Sequence, residues 1–139
     1  MNGKLLDTNI IIRFINGDDS LNNIFEEDNL FFSSITLGEL FYGAECSNRK
    51  EENAKVYSDF CHELEEIKAD SEVSFFYGKI KAQLKKDGHP IPDNDIWIAA
   101  CAMAYELTVV TADNHFSWLV DMRQTKRKAE QHSGQFHLK

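Results

Sequence analysis

The sequence predicts an α/β fold, a mainly parallel central sheet with helices on both faces. Three observations predict it. Short β-prone segments (KLL, LFFSS, TVVT) recur along the 139-residue chain. Helical segments separate them, as strands joined by crossovers require. The last helical segment, IWIAACAMAY, is apolar on nearly every side and so belongs under other elements.

In chain order, a short strand at Lys4 to Leu6 runs into a helix opened by Thr8 or Asn9, both good N-caps. A second strand, LFFSS, leads into a helix starting at Thr36. Val56, Phe60 and Leu64 keep a four-residue interval, and Val73, Phe76, Tyr77, Ile80 and Leu84 keep helical spacing, so both stretches read as amphipathic helices. A weaker strand is expected at EIKAD, residues 66–70, between them. GHPIP, residues 88–92, is a turn, after which Asp93 or Asn94 caps the apolar helix. TVVT, residues 108–111, has the length and β-branched content of a buried parallel strand.

The length suits one domain, able to bury roughly 68% of the surface its unfolded chain exposes. We place that domain at residues 1–120 and a basic, polar, solvated and disordered tail at 121–139, with contact to RNA phosphates as the rival reading of the tail. Cys46, Cys61 and Cys101 form no C-x-x-C and no metal-ligand spacing with the five histidines, which fits a reducing cytoplasm. The first residues carry no legible secretory signal, and the longest apolar run, ten residues from Ile96, is too short to span a bilayer. The net charge of −8 argues against indiscriminate nucleic-acid binding. It is unevenly spread, however: residues 1–119 carry −11 and the remainder +3. Lys79, Lys81, Lys85 and Lys86 read as a solvated helix face, with an RNA path as the rival reading.

Four carboxylates stand where strands end or helices begin: Asp7, Glu39, Asp95 and Asp113. In a parallel sheet with right-handed crossovers these junctions share one edge, the edge at which open α/β sheets bind ligands. Crowded there, the acids repel one another unless a divalent cation is present. Oxygen-only donors select a hard metal such as Mg²⁺ or Mn²⁺, which serves phosphate chemistry. Each residue also has a local reading. Asp7-Thr8-Asn9 can be a capped junction, and Thr36-x-x-Glu39 matches a capping box. Asp95 can complement a helix dipole, with Asp93 as its rival, and Asp113-Asn114 can be a turn. Four together favour a joint site.

LLDTNIII, SSITLGELFYGA, IPDNDIWIAACA and VVTADNHF, carrying Asp7, Glu39, Asp95 and Asp113 in that order, resemble the PIN-domain ribonucleases, specifically the VapC-type toxins of bacterial toxin–antitoxin pairs. The resemblance covers residues 4–116. It implies a three-layer α/β/α domain and Mg²⁺- or Mn²⁺-dependent endonucleolytic cleavage of RNA, leaving a 5′-phosphate and a 3′-hydroxyl. In the roles it implies, Asp7 and Asp95 hold the metal most directly, Glu39 and Asp113 complete the acidic pocket with Asp113 a further candidate ligand, and Thr111 or Asn9 orients waters or a carboxylate. It further implies a homodimer neutralised by a small antitoxin, a segment of which lies in a hydrophobic groove near the acidic pocket; ELFYGAE and the Phe-rich helices are candidates for that groove, with core packing as the rival reading of their aromatics. Arg13 is the basic residue expected nearest the pocket and a candidate substrate contact.

The chain departs from the family pattern after Phe116, where SWLV gives way to a polar end in place of a last hydrophobic strand. A PIN-like module that binds antitoxin or RNA without turnover is therefore the alternative reading. A phosphoaspartate enzyme is disfavoured, because DTN lacks the second aspartate two residues on.

Overall fold

A computed structural model of the chain describes residues 3–26 and 29–112. The elements are β1 (Lys4–Leu6), α1 (Thr8–Ile15), a 3₁₀ turn (Asp19–Leu21), α2 (Asn22–Phe25), β2 (Leu30–Ser33), α3 (Ser34–Glu45), α4 (Lys50–His62), β3 (Glu65–Ile67), α5 (Ser71–Asp87), α6 (Asp93–Ala104) and β4 (Thr108–Val110). The strands pair in the order β3-β2-β1-β4, every pair parallel, with Leu5 beside Phe31 and Val109.

The period-two alternation of strand side chains divides the core into two layers. On one face Leu5, Phe31 and Ile67 meet Val73, Ile80 and Leu84 of α5 and the Ile98–Met103 stretch of α6. On the other, Leu6, Leu30 and Phe32 meet Ile10 and Ile11 of α1, Leu40 of α3 and Cys61 of α4. Each fully buried Leu or Ile contributes about 1.5–3 kcal/mol relative to exposure. The entry to β1 passes so close to this core that a Cβ on Gly3 would lie 2.4 Å from Phe31 Cε2.

α5 and α6 form an antiparallel hairpin. Asp70 caps α5 through Val73 N–H, and Gly88 ends it in the left-handed region at φ 71°. The Tyr105 hydroxyl at the far end of α6 donates to the Asp70 carboxylate, and Tyr77 stacks on Trp97 midway, with centroids 4.0 Å apart.

Several boundaries differ from the sequence-based expectations. Asp7 caps α1, not Thr8 or Asn9. Ser33 caps α3 by accepting from Thr36 N–H, so the helix starts at Ser34 and the Thr36–Glu39 capping box does not form. α6 begins at Asp93 after Pro92, with no side-chain cap. α4 ends at His62, leaving Leu64 outside it, and Val56 is exposed. The weak strand lies at Glu65–Ile67, short of EIKAD's end, and β4 is half-buried because it is the outer strand among the described residues. The expected boundary at residue 120 and the basic tail lie outside the described residues.

Candidate active site

Asp7 follows the last residue of β1, and two interactions of the main chain set its position. Its carbonyl accepts from Ile10 and Ile11 N–H at the start of α1, while its own N–H donates to Val110 of β4 at 3.0 Å. Asp7 is only 5% exposed. Thr8 N–H donates to Oδ1 at 2.8 Å and the Thr111 hydroxyl donates to Oδ2 at 2.7 Å. Burial pushes the Asp7 pKa above the usual carboxylate range. The Thr111 and Thr8 hydrogen bonds oppose that rise, and the negative charges of Asp95 and Glu39 add to it.

Glu39 sits in the second turn of α3, one turn later than expected. Its Oε1 accepts from the Thr8 hydroxyl at 2.7 Å, and its Oε2 lies 3.5 Å from Asn94 Nδ2. Thr8 thus touches both acids, Asp7 through its N–H and Glu39 through its hydroxyl. Asp95 stands in the first turn of α6, half-buried and near enough to bear on the Asp7 charge. Asn9 Oδ1 accepts from Ala112 N–H at 3.3 Å, tying α1 to the chain that leaves β4.

Three of the four candidate acids therefore meet at the C-terminal edge of the sheet, and Thr111 and Asn9 are beside them. Asp113 lies outside the described residues. Arg13 does not join them. It occupies the last turn of α1, about 9 Å along the helix axis from Asp7, and its guanidinium grips Asp18 Oδ2 at 3.0 Å through Nε and 2.7 Å through Nη2. The roles of Thr8 and Asn94 were not legible as such: both sit in quoted motifs, where Thr8 reads as a helix cap, and only the tertiary packing turns them toward Glu39.

Among the described residues no three acidic, His or Cys side chains stand close enough to enclose a metal ion by themselves. That is compatible with Mg²⁺, which commonly takes one or two carboxylates and keeps several waters. The donor chemistry fits a hard dication: the hydrogen bonds of Asp7 and Glu39 come from oxygen and nitrogen donors, among the described residues no His or Cys joins them, and a buried carboxylate faces two like charges.

The PIN domain family model matches residues 4–119. The chain belongs to the PIN-domain family. This PIN domain is 37% identical over 112 residues to ribonuclease VapC2 of Rickettsia felis, covering 77% of this chain and 84% of that protein. It is 36% identical over 110 residues to the tRNA(fMet)-specific endonuclease VapC of Shigella flexneri, covering 77% and 83%. Its fold superposes on a chain of DNA-bound VapBC from Salmonella typhimurium with a TM-score of 0.78, at 35% identity, covering 84% of this PIN domain and 92% of that chain. The structure of VapBC2 from Rickettsia felis bound to a promoter DNA fragment matches at 0.77 and 36%, with coverage of 84% and 92%. The three-layer α/β/α reading of the sequence is borne out by this kinship and by the parallel sheet between two helical layers.

Proposed function

We propose that this PIN domain is a metal-dependent endoribonuclease, the toxin of a toxin–antitoxin pair. The observation that carries the reading is the buried Asp7 carboxylate, held from two sides and crowded by Glu39 and Asp95 at the ligand-binding edge of the sheet. The kinship with VapC ribonucleases and VapBC complexes supports it.

Asp7 and Asp95 hold the metal, with Asp113 a further ligand and Glu39 completing the negative pocket. Bound there, Mg²⁺ or Mn²⁺ supplies an activated water and neutralises charge developing on the phosphodiester. The chain's own part is positional. Thr8 and Thr111 fix the two oxygens of Asp7, so the carboxylate does not rotate away from its neighbours. Thr8 also holds Glu39, which makes the pair one unit. Asn9 anchors the segment leading from Thr111 toward Asp113.

The partner is a small antitoxin, and the toxin works as a homodimer in the cytoplasm, where its three thiols, all unpaired, remain reduced. A cavity of about 430 Å³ where β2 and β3 begin, at the sheet edge opposite the acids, is lined by Phe14, Phe25, Leu30, Phe60 and Leu64 together with Asn29, Glu63 and Glu65, and offers partly apolar surface for such a partner. The exposed Phe41 and Tyr42 of ELFYGAE offer separate apolar surface on α3.

Purified full-length protein is expected to cut RNA with Mg²⁺ or Mn²⁺, stop on chelation and resume when the metal is returned. Asp95→Asn is expected to cost more than the roughly 10–100-fold that outer-shell changes cost metal sites. Tight antitoxin binding without cleavage of any of several RNAs would identify the chain instead as a binding module.

A further inference from the structure

An acidic body that cuts RNA needs a place where the polyanion is held, and the acid cluster repels it. The described residues include a lysine whose ammonium is fixed at the start of α6, the helix that carries Asp95. Lys81 Nζ lies 3.1 Å from Asp93 Oδ1 and 3.1 Å from the Tyr77 hydroxyl, and 5.4 Å from the centre of the Tyr77 ring. Tyr77 also bonds Asp93 at 3.2 Å and is braced by its stack on Trp97, 17° from parallel. Asp93 is the first residue of α6, two residues before Asp95.

This clamp has a consequence for binding. An ordinary surface lysine loses side-chain entropy when it contacts a phosphate; here two contacts already restrict the four-carbon stem. An ammonium has three N–H donors, of which Asp93 and Tyr77 take two. The Lys81 side chain is still 52% exposed, so the third remains open to a ligand from solvent. The two tethers also hold Lys81 in its charged form.

The helix periodicity separates the four α5 lysines. With Val73, Phe76, Ile80 and Leu84 buried, Tyr77, Lys81 and Lys85 share the flank that faces the start of α6. Lys79 and Lys86 share the opposite flank, with Lys79 over the Phe75 ring at 5.5 Å.

We propose that Lys81, clamped by Asp93 and Tyr77, is a substrate-positioning residue that takes a phosphodiester oxygen of the RNA strand flanking the cleavage site, so that the strand runs along the Lys81–Lys85 flank of α5. The inference rests on the ribonuclease reading for the identity of the ligand.

Its test is salt-dependent binding of a fluorescein-labelled tRNA pool, measured by anisotropy in an Asp95→Asn background, together with cleavage kinetics in the wild-type background. Lys81→Gln is expected to weaken binding about five- to tenfold, as loss of one charge-assisted phosphate contact does. It should also reduce the slope of log affinity against log salt by roughly 0.7–0.9. In cleavage, KM rises and kcat stays within about twofold, the signature of lost uniform binding. Lys81→Arg retains most of the affinity, and Lys79→Gln, with the same change of charge, leaves the slope nearer the parent value.

Equal weakening by Lys79→Gln and Lys81→Gln would reduce the effect to net charge and overturn the proposal. So would a Lys81→Gln variant that melts at lower temperature yet keeps the parental KM and salt slope, since that describes a structural clasp. If the parent protein binds RNA with the expected slopes but never cuts it, the ribonuclease reading falls and the binding path stands. If it cuts RNA and Lys81→Gln changes neither KM nor slope, the path falls and the ribonuclease stands.

Discussion

Asp7→Asn is expected to abolish metal-dependent RNA cleavage while making the metal-free protein more stable. Both effects come from one cause. The Asp7 pKa is raised because its carboxylate is buried and, to a smaller extent, faces Asp95 and Glu39. The folded protein therefore holds the Asp7 proton more tightly than the unfolded chain does. The penalty for ionising it is absent below the ordinary carboxylate range, grows as pH rises through that range, and is fully present above the folded-state pKa. Asparagine fills the same volume and never ionises. At neutral pH in EDTA, Asp7→Asn is expected to gain about 1 kcal/mol, or roughly 3–5 °C in melting temperature, as replacement of a strained functional residue often does. The gap should close as pH falls. Thermal melts of both proteins from neutral to acid pH check it, and equal melting temperatures at neutral pH would show that ionising Asp7 in the folded protein carries no net penalty.

Thr111→Val is expected to give the second large effect. Valine keeps the shape and removes the hydroxyl that donates to Asp7 Oδ2 across 104 residues of sequence. That bond favours the ionised acid, so its loss raises the Asp7 pKa further and frees the carboxylate to turn. Cleavage at neutral pH should fall roughly 10–100-fold, the range typical of residues that orient a metal ligand. The acid limb of the pH–rate profile should move to higher pH, so activity partly recovers in alkaline buffer, and Thr111→Ser should restore both. A lowered rate with an unmoved acid limb would mean that Thr111 acts on packing alone.

Much of this arrangement was legible in the sequence, for reasons that can be named. β1, β2 and β4 are short β-prone runs between helical segments, and α6 is buried on almost every side as its composition requires. The shared edge of Asp7, Glu39 and Asp95 follows from parallel pairing with right-handed crossovers, a rule that needs no side-chain detail. The caps were not legible. Asp, Thr and Asn have similar intrinsic preference for a cap, so residues 7–9 could not be ranked locally. Tertiary contacts decide: Thr8 is drawn to Glu39 and Asn9 to Ala112, leaving Asp7 to cap α1. In α3 Thr36 is fully buried and its hydroxyl has no partner among the described residues, and Ser33 takes the cap. Arg13 looked close to the pocket along the chain, but it lies in the last turn of α1 and finds Asp18. The Lys81 clamp was hidden for the opposite reason: its partners are 4 and 12 residues away on two helices, and only their antiparallel packing brings them together.

Anomalous diffraction at the manganese edge from crystals of the full chain grown with Mn²⁺ tests the central assignment most directly. The expected result is a peak about 2.1 Å from a carboxylate oxygen of Asp7, with Asp95 on the same ion or one water away, the spacing of a hard octahedral cation. A protein that cuts RNA at the same Mn²⁺ concentration yet shows no peak beside Asp7, or shows one elsewhere in the molecule, would contradict it.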